Sequence, residues 1–407
     1  MEGLDDGAPP LAVVAANYGA LPTDVLYDVL LRLPAKELCR LRLVCQSWRS
    51  LTSDPLFARA HSSRHPPYAV FLRHWSREVH VIDLHGSVIK RIPIRIGQRN
   101  WEALSTHGDL ACISHGWGLA YIHNLATGAA VADIDAEHRR KVNAGRPVCL
   151  LGHVLSTGEY KVLRVKNGCD YSYSGGRRPT SPQTCEVMTL GSDGRSRSRW
   201  RKGRRPPVIV SCSPVFSWRM AVVAGVAYFL TSPEEVAEQL DSVAVFDMAT
   251  EVWKPTTIQG PLSSTDEKLK LAMMHPIGRE QFQLARLGER LVTLYCNIRD
   301  CLTELWFLVD MDGSIWTKQY TLQGTAFGNE PILHYHYPLA VLDDGRVVVW
   351  VERKGELRAY DPRTSTWTDL ATLSGDVVMH HGSLLCPNLG GESCLSLCNF
   401  EQVSETP

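Results

Sequence analysis

Three stretches far apart in this sequence share one spacing: Asp247-x-x-Thr250-x-x-Trp253, Asp310-x-x-Gly313-x-x-Trp316 and Asp361-x-x-Thr364-x-x-Trp367. Asn124-x-x-Thr127 is a weaker copy without the tryptophan. Each copy follows a short apolar run, so it reads as a strand, a tight turn and a returning strand. An Asp or Asn side chain can bond the turn backbone, and the tryptophan then begins the second strand. Copies separated by roughly 50 to 60 residues suit β-sheet blades repeated around an axis. A stack of β-sandwich domains is the alternative, and the even repeat argues against it.

The strand period surrounds these copies from Tyr68 onward. It is clearest in AVFLRHW at 69–75, EVHVIDL at 78–84, LAYIHN at 119–124, EYKVLRV at 159–165, SVAVFDM at 242–248, RLVTLYC at 290–296 and RVVVWVE at 346–352. Long helix patterns are missing from this region. Divided by typical blade lengths, the block 68–400 predicts about six to eight blades.

Residues 21–51 obey a different rule. Leucines crowd here, and Pro34 forbids a helix from continuing past Leu33. Thr23 is the expected cap of the first helix, with Asp24 suited to the positive end of its dipole. Val25, Leu26, Val29, Leu30 and Leu33 fall on one stripe at helical spacing, while Leu31 points the other way. A second short helix carries Leu38, Leu41 and Leu43, and a third runs through Val44, Trp48 and Leu51. Ser53-Asp54-Pro55 is one more start signal. A unit this small cannot bury so much apolar surface alone. Its second face therefore docks on another protein or on the rest of the same chain.

Composition narrows the classes. The 43 basic residues balance the 43 acidic ones, so no global field favours nucleic acid or membrane. No run approaches the ~20 apolar residues that span a bilayer. The twelve cysteines contain no Cys-x-x-Cys pair, which suits reduced, mostly buried thiols in a cytoplasmic or nuclear protein. Residues 1–20 are small, acidic and proline-bearing, and are expected to be disordered.

The helical stretch resembles the F-box, the adaptor-binding module of cullin-based ubiquitin ligases. The likeness runs through Leu21-Pro22, Asp24, Leu26, Leu30, Arg32-Leu33-Pro34, Lys36, Leu38, Val44-Cys45, Trp48 and Leu51. Gln46 departs from the Lys or Arg usual in that family. The strand region resembles the F-box-associated, kelch-like propeller domains of plants. The matching pieces are short: His115-Gly116 to Tyr121, Gly158-Glu159-Tyr160-Lys161-Val162, Cys185-Glu186-Val187, Phe246-Asp247, Ile315-Trp316-Thr317-Lys318, and Pro338-Leu339-Ala340-Val341 through Tyr360-Asp361-Pro362.

Together these give an α+β multidomain chain. The expected order is a disordered 1–20, an all-α F-box at 21–60, a linker at 61–67, an all-β propeller at 68–400 and a tail at 401–407. The resemblance implies a non-catalytic substrate receptor that needs no cofactor. It would bind a Skp-family adaptor, and through it a cullin, with Leu21, Pro22, Leu26, Leu30, Leu33, Pro34, Leu38, Val44 and Trp48. Propeller loops would hold a protein substrate. The long insertion 166–184 carries Tyr171, Tyr173, Arg177 and Arg178, residue types enriched at binding hot spots.

Other chemistry finds little support. No nucleophile elbow, phosphate loop, dinucleotide fingerprint or zinc-protease motif occurs. His334-x-His336 lacks a third ligand at a recognisable spacing, and Asp310-x-Asp312-Gly313 lacks the glutamate of a calcium loop, so no metal site is expected. The run Arg195, Arg197, Arg199, Arg201, Lys202, Arg204, Arg205 is the one strong local charge. It could meet nucleic acid, an acidic partner or an import receptor, or be a solvated loop. Nucleic acid is the weaker option, because only Trp200 offers a stacking surface. A propeller enzyme or small-ligand binder with a helical arm is the remaining alternative.

Overall fold

Each copy of the repeat closes through its own acid. In the computed structural model Asp247 Oδ1 accepts from Ala249 N at 2.8 Å, Asp310 Oδ1 from Asp312 N at 3.2 Å, and Asp361 Oδ1 from Arg363 N at 2.9 Å. Asn124 Oδ1 accepts from Thr127 N at 2.8 Å in the weaker copy. The fifth residue of every copy takes a left-handed backbone: Gly128 at φ 77°, Glu251 at 59°, Ser314 at 52° and Ser365 at 54°. Only the first of these is glycine. The side-chain bonds within the turn offset the cost of αL at the other three.

The structure describes residues 22–73, 78–94, 101–115, 119–134, 148–166, 182–190, 199–212, 219–232, 241–262, 282–297, 302–323, 336–351, 354–373 and 375–385. Four helices come first: α1 (Thr23–Leu31), α2 (Ala35–Leu41), α3 (Gln46–Thr52) and α4 (Pro55–Arg64). Six four-stranded antiparallel sheets follow as blades. Blade 1 holds β1 (Tyr68–Arg73), β2 (Glu78–Ile82) and β3 (Val88–Pro93). Blade 2 holds β4 (Trp101–His107), β5 (Leu110–His115), β6 (Leu119–Asn124) and β7 (Ala130–Ile134). Blade 3 holds β8 (Val148–Val154), β9 (Glu159–Lys166), β10 (Thr184–Leu190) and β11 (Arg201–Lys202). Blade 4 holds β12 (Met220–Val223), β13 (Val226–Leu230), β14 (Val243–Asp247) and β15 (Val252–Trp253). Blade 5 holds β16 (Phe282–Leu287), β17 (Arg290–Asn297), β18 (Leu302–Asp310) and β19 (Ile315–Gln323). Blade 6 holds β20 (His336–Val341), β21 (Val347–Val351), β22 (Glu356–Asp361) and β23 (Thr366–Thr372). The last strand, β24 (Gly375–His380), joins blade 1 beside β1, in register from Tyr68↔His380 to Arg73↔Gly375. The inner strands touch in the cycle β24, β4, β8, β12, β16, β20, β24, so the ring is closed with six blades.

The repeated tryptophans join neighbouring blades. Trp253 Nε1 of blade 4 donates to Arg204 O just past β11, at 3.0 Å. Trp316 Nε1 of blade 5 donates to Gln259 O past β15 at 2.8 Å, and Trp367 Nε1 of blade 6 to Gln323 O of β19 at 2.9 Å. One residue type at one offset thus sutures three successive junctions. Trp253 is also packed on Phe246 and Phe229, with ring centroids 5.1 and 5.4 Å away. Between blades 1 and 2 the join has other chemistry, with Lys90 Nζ donating to Ala126 O.

The helical module differs from its sequence pattern at three points. The α1 N-cap is Pro22, with no side-chain cap bond, so Thr23 begins the helix. Leu31, expected to face away, is 5% exposed. The segment taken as a linker is mostly helix, because α4 runs to Arg64 from a start where Asp54 Oδ1 accepts from Leu56 N at 2.6 Å. His61 Nε2 and His65 Nε2 then bond the end of α1 at Leu33 O and Leu31 O, 2.8 and 2.9 Å away. Their rings stack with centroids 4.1 Å apart, which leaves only a short tether before β1. Leu30, Leu31, Ala35, Leu38 and Phe57 share one core with Val70, Val81 and Ile92 of blade 1, Leu104 and Ile113 of blade 2, and Leu384 and Leu385 beyond β24. Each such Leu, Val, Ile or Phe side chain stabilises by about 1.5–3 kcal/mol through burial.

Trp253 tests the suture. Trp253→Ala should cost about 3–5 kcal/mol. Trp253→Phe, which keeps a ring but loses the N–H donated to Arg204 O, should cost about 0.5–1.5 kcal/mol. Urea unfolding of the full chain followed by circular dichroism reads both, and wild-type midpoints for the pair would remove the suture from the account.

Candidate functional site

The outward surface of the helical module follows from which faces its core consumes. α1 turns Leu30 and Leu31 inward, at 1% and 5% exposure, and leaves Val25 and Val29 outside at 40% and 44%. At the junction of α2 and α3, Leu43 and Val44 stand out at 58% and 62%, as does Leu56 at 71%. Of the residues expected on a docking surface, Pro22, Pro34 and Val44 are exposed, and Leu26, Leu33 and Trp48 are partly buried. Leu21 lies outside the described residues. Leu30 and Leu38 are buried in the module's core instead, Leu38 completely, so they support the surface from beneath. Val25, Val29 and Leu43 were missed. The i, i+4 spacing of Val25 and Val29, one position after Asp24 and Asp28, was the available signal. Arg42 fixes the α2–α3 junction from inside, with Nε to Thr52 Oγ1 at 3.1 Å and Nη2 to Thr52 O at 2.5 Å.

Strand direction assigns the propeller two unlike faces. In blades 2 to 6 the first and third hairpins turn at one face, as does the β2–β3 turn of blade 1, and the middle connection and the passage to the next blade lie at the other. On the first face each connection spans five residues or fewer, except 191–200 between β10 and β11. The second face receives the long connections 135–147, 167–183, 203–219, 231–242, 254–281 and 324–335. The helical module enters at the start of β1, opposite His380 at the end of β24, and so on the short-turn face. The connection carrying Tyr171, Tyr173, Arg177 and Arg178 joins β9 to β10 at the opposite face. Those four residues lie outside the described ones, as do Arg195 and Arg197.

The ring's centre is bridged near the short-turn face. Arg286 ends its reach from β16 of blade 5 on His107 of β4, in blade 2 across the ring, with Nη1 to Nδ1 at 2.6 Å. Its Nε and Nη2 bond Gly288 O and Glu289 Oε1 of its own turn at 2.8 and 2.6 Å. A guanidinium only donates, so His107 Nδ1 is the acceptor and carries no proton. Burial, the Arg286 charge and His153 hold the His107 pKa down at about 3. His153 lies beside it, 6.2 Å between ring centroids, and stacks on Tyr160 at 4.6 Å. His380 is buried and depressed to about 3, by desolvation and then by His381. Asp109 in the adjoining turn is pushed up to about 6 by burial.

Among the described residues no group of three His, Cys, Asp or Glu could hold a metal ion. Cys112, Cys149, Cys185, Cys212 and Cys296 all have pKa values raised by burial, which disfavours the thiolate. No helix among those residues is long and apolar enough to cross a membrane.

Known proteins match both parts. Residues 18–63 match the family described as F-box-like. Residues 78–358, more than half of the chain, match the family described as F-box associated beta propeller domain. The chain belongs to that family. An F-box protein of Arabidopsis thaliana is 26% identical over 280 residues, 63% of this chain and 65% of the relative. An F-box/kelch-repeat protein of the same plant is 52% identical over 42 residues, 10% of this chain and 12% of the relative. The chain therefore spans less than two thirds of the length of these relatives. A Bacteroides caccae protein of unknown function aligns in structure over 77% of this chain and 99% of its own, at 8% identity and a TM-score of 0.41, which adds nothing about function. The plant-type F-box resemblance and the helical-plus-propeller fold hold, with the blade number at the lower end of the expected range.

The buried histidines of this F-box propeller make a pH prediction. Free histidine titrates near 6.5, so below that pH the unfolded chain takes up protons that folded His107, at about 3, refuses. That stability is complete above about pH 6.5 and is lost as pH falls toward the folded value. His107→Gln, which keeps an acceptor for Arg286, should make the fall in urea-unfolding free energy from pH 6.5 to 4.5 shallower by roughly one proton. An unchanged slope would mean that His107 is not held neutral.

Proposed function

We propose that this protein is a substrate-recognition subunit of a cullin-based ubiquitin ligase. The F-box docks a Skp-family adaptor, and the propeller holds a protein substrate. The observation that carries this reading is the opposition of two surfaces on one closed ring. The F-box, with Val25, Val29, Leu43 and Val44 exposed, joins the short-turn face, and the long connections leave from the other. Apolar side chains exposed on a folded helical module suit burial against a partner. Pro22, Leu26, Leu33, Pro34, Val44 and Trp48 form the adaptor contact together with Val25, Val29 and Leu43, and Leu30 and Leu38 hold it from within. The protein performs no bond chemistry. It raises the effective concentration of a substrate lysine near a ubiquitin-charged enzyme. Such an assembly operates in the cytoplasm or nucleus.

Substrate recognition falls to the long-connection face, because the strands are committed to their own sheets. The 166–184 insertion joins that face and remains the proposed contact. Deleting 168–181 should leave the melting temperature and adaptor capture unchanged while removing substrate proteins from material purified out of a native extract. An unchanged set of co-purifying proteins would take recognition away from this insertion.

Adaptor docking separates surface from support. Val25→Glu with Val29→Glu should abolish capture by a purified Skp-family adaptor, a loss of about 2 kcal/mol or more, without shifting the unfolding curve. Leu30→Ala should cost about 2–5 kcal/mol of stability in the module, and its adaptor binding should fall with its folding. Wild-type capture by the valine variant would sink the docking assignment.

A further inference from the structure

We propose that Arg164 and Lys166 of blade 3 form a subsite for an acidic side chain of the bound substrate, whose carboxylate completes an ion network that is one anion short. Lys166 is the last residue of β9 and Thr184 the first of β10, so the subsite stands at the long-connection face, where the 166–184 insertion leaves and returns. Register sets Arg164 opposite Glu186 and Glu186 opposite Lys202, so these three share one face of the sheet. Lys166, two residues beyond Arg164, lies on that face as well.

Three donors converge there on a single oxygen. Glu186 Oε2 accepts from Arg164 Nε at 2.8 Å and from Arg164 Nη2 at 2.5 Å, and Lys166 Nζ stands 2.8 Å from the same atom. The Arg164 side chain is 2% exposed and that of Lys166 15%. Among the described residues Glu186 is the one carboxylate bonded to either cation. Two cations withdrawn from water therefore share one negative charge, and buried charge is costly unless it is matched. Burial lowers the Lys166 pKa and the Arg164 charge adds to the fall, although Glu186 opposes it.

The shortfall is one charge, so a monoanion such as a carboxylate closes it and a dianion overshoots. Donors remain for that carboxylate. Arg164 has five N–H groups and the ammonium of Lys166 has three, more than Glu186 Oε2 engages. The Arg164 guanidinium lies over Trp200, 3.8 Å from its ring centroid, so its direction is set before a ligand arrives. Lys202, exposed beside them, adds a steering charge at the rim. A peptide side chain is the source of the anion because the subsite roots the insertion assigned to the protein substrate, and to that extent the inference rests on the receptor reading.

The full-length protein tests the subsite with fluorescein-labelled hexaglutamate at low salt, read by anisotropy. Lys166→Gln removes the surplus charge and leaves Arg164 paired with Glu186, so the peptide should bind about tenfold more weakly at an unchanged melting temperature. Glu186→Gln acts in the opposite direction. It frees both cations and should tighten binding about tenfold, a gain that a merely structural role would not give. Equal affinity of Lys166→Gln and the wild type overturns the proposal, as does tighter binding of a phosphoserine peptide at matched total charge. Asp170→Asn should leave the affinity unchanged, whereas a gain of about tenfold would make Asp170 of the insertion the occupant in place of a substrate. Loss of substrate on deleting 168–181, with wild-type peptide affinity in Lys166→Gln, would strike the subsite alone and leave the receptor reading standing.

Discussion

The pairing of β1 with β24 is the constraint on which the rest depends. A ring of sheets has no natural end, and here the first and last described strands meet in one blade across six residue pairs. That closure forces the start of β1 onto the short-turn face and brings the F-box to it. It also places residues 383–385 where Leu384 and Leu385 enter the core that the F-box shares with blades 1 and 2. The F-box, the ring seam and residues 383–385 are therefore packed as one unit. The orientation of the F-box is set by burial, not by a free linker.

The other half of the ring is held differently. Tryptophan sutures join blades 3 to 4, 4 to 5 and 5 to 6, and each ends on a main-chain carbonyl in or past the preceding blade's outer strand. The indole N–H fixes the spacing between neighbouring blades through that bond. Across the centre, Arg286 and His107 tie blades on opposite sides of the ring. Two of the suture carbonyls, Arg204 and Gln259, lie early in the long connections 203–219 and 254–281, so the sutures fix where those connections leave the ring.

Legibility in the sequence tracked locality. The Asp-turn-Trp copies announced blades because the turn acid, the left-handed residue and the indole all act within seven positions. The F-box was readable for the same reason, through gapless spacing from Pro22 to Leu51. Contacts between distant residues were not readable. His107 and Arg286 are 179 positions apart, and neither carries a local motif. β24, GDVVMH, resembles no repeat copy, so closure and blade number stayed open. Periodicity also misplaced Leu31, because α1 is buried on more than one side by α4 and by the propeller. A stripe describes a helix with one buried face, and this helix keeps only its valine ridge free.

On the proposed reading, adaptor and substrate occupy opposite faces of one closed ring. Hydrogen exchange of the full-length protein, with and without a purified Skp-family adaptor, tests it most directly. The account predicts added protection confined to peptides covering 22–60 and the adjoining short turns, with none at 114–119, 229–232 or 296–302, which border the long-connection face. Protection appearing at those three stretches, with 22–60 unchanged, would contradict it.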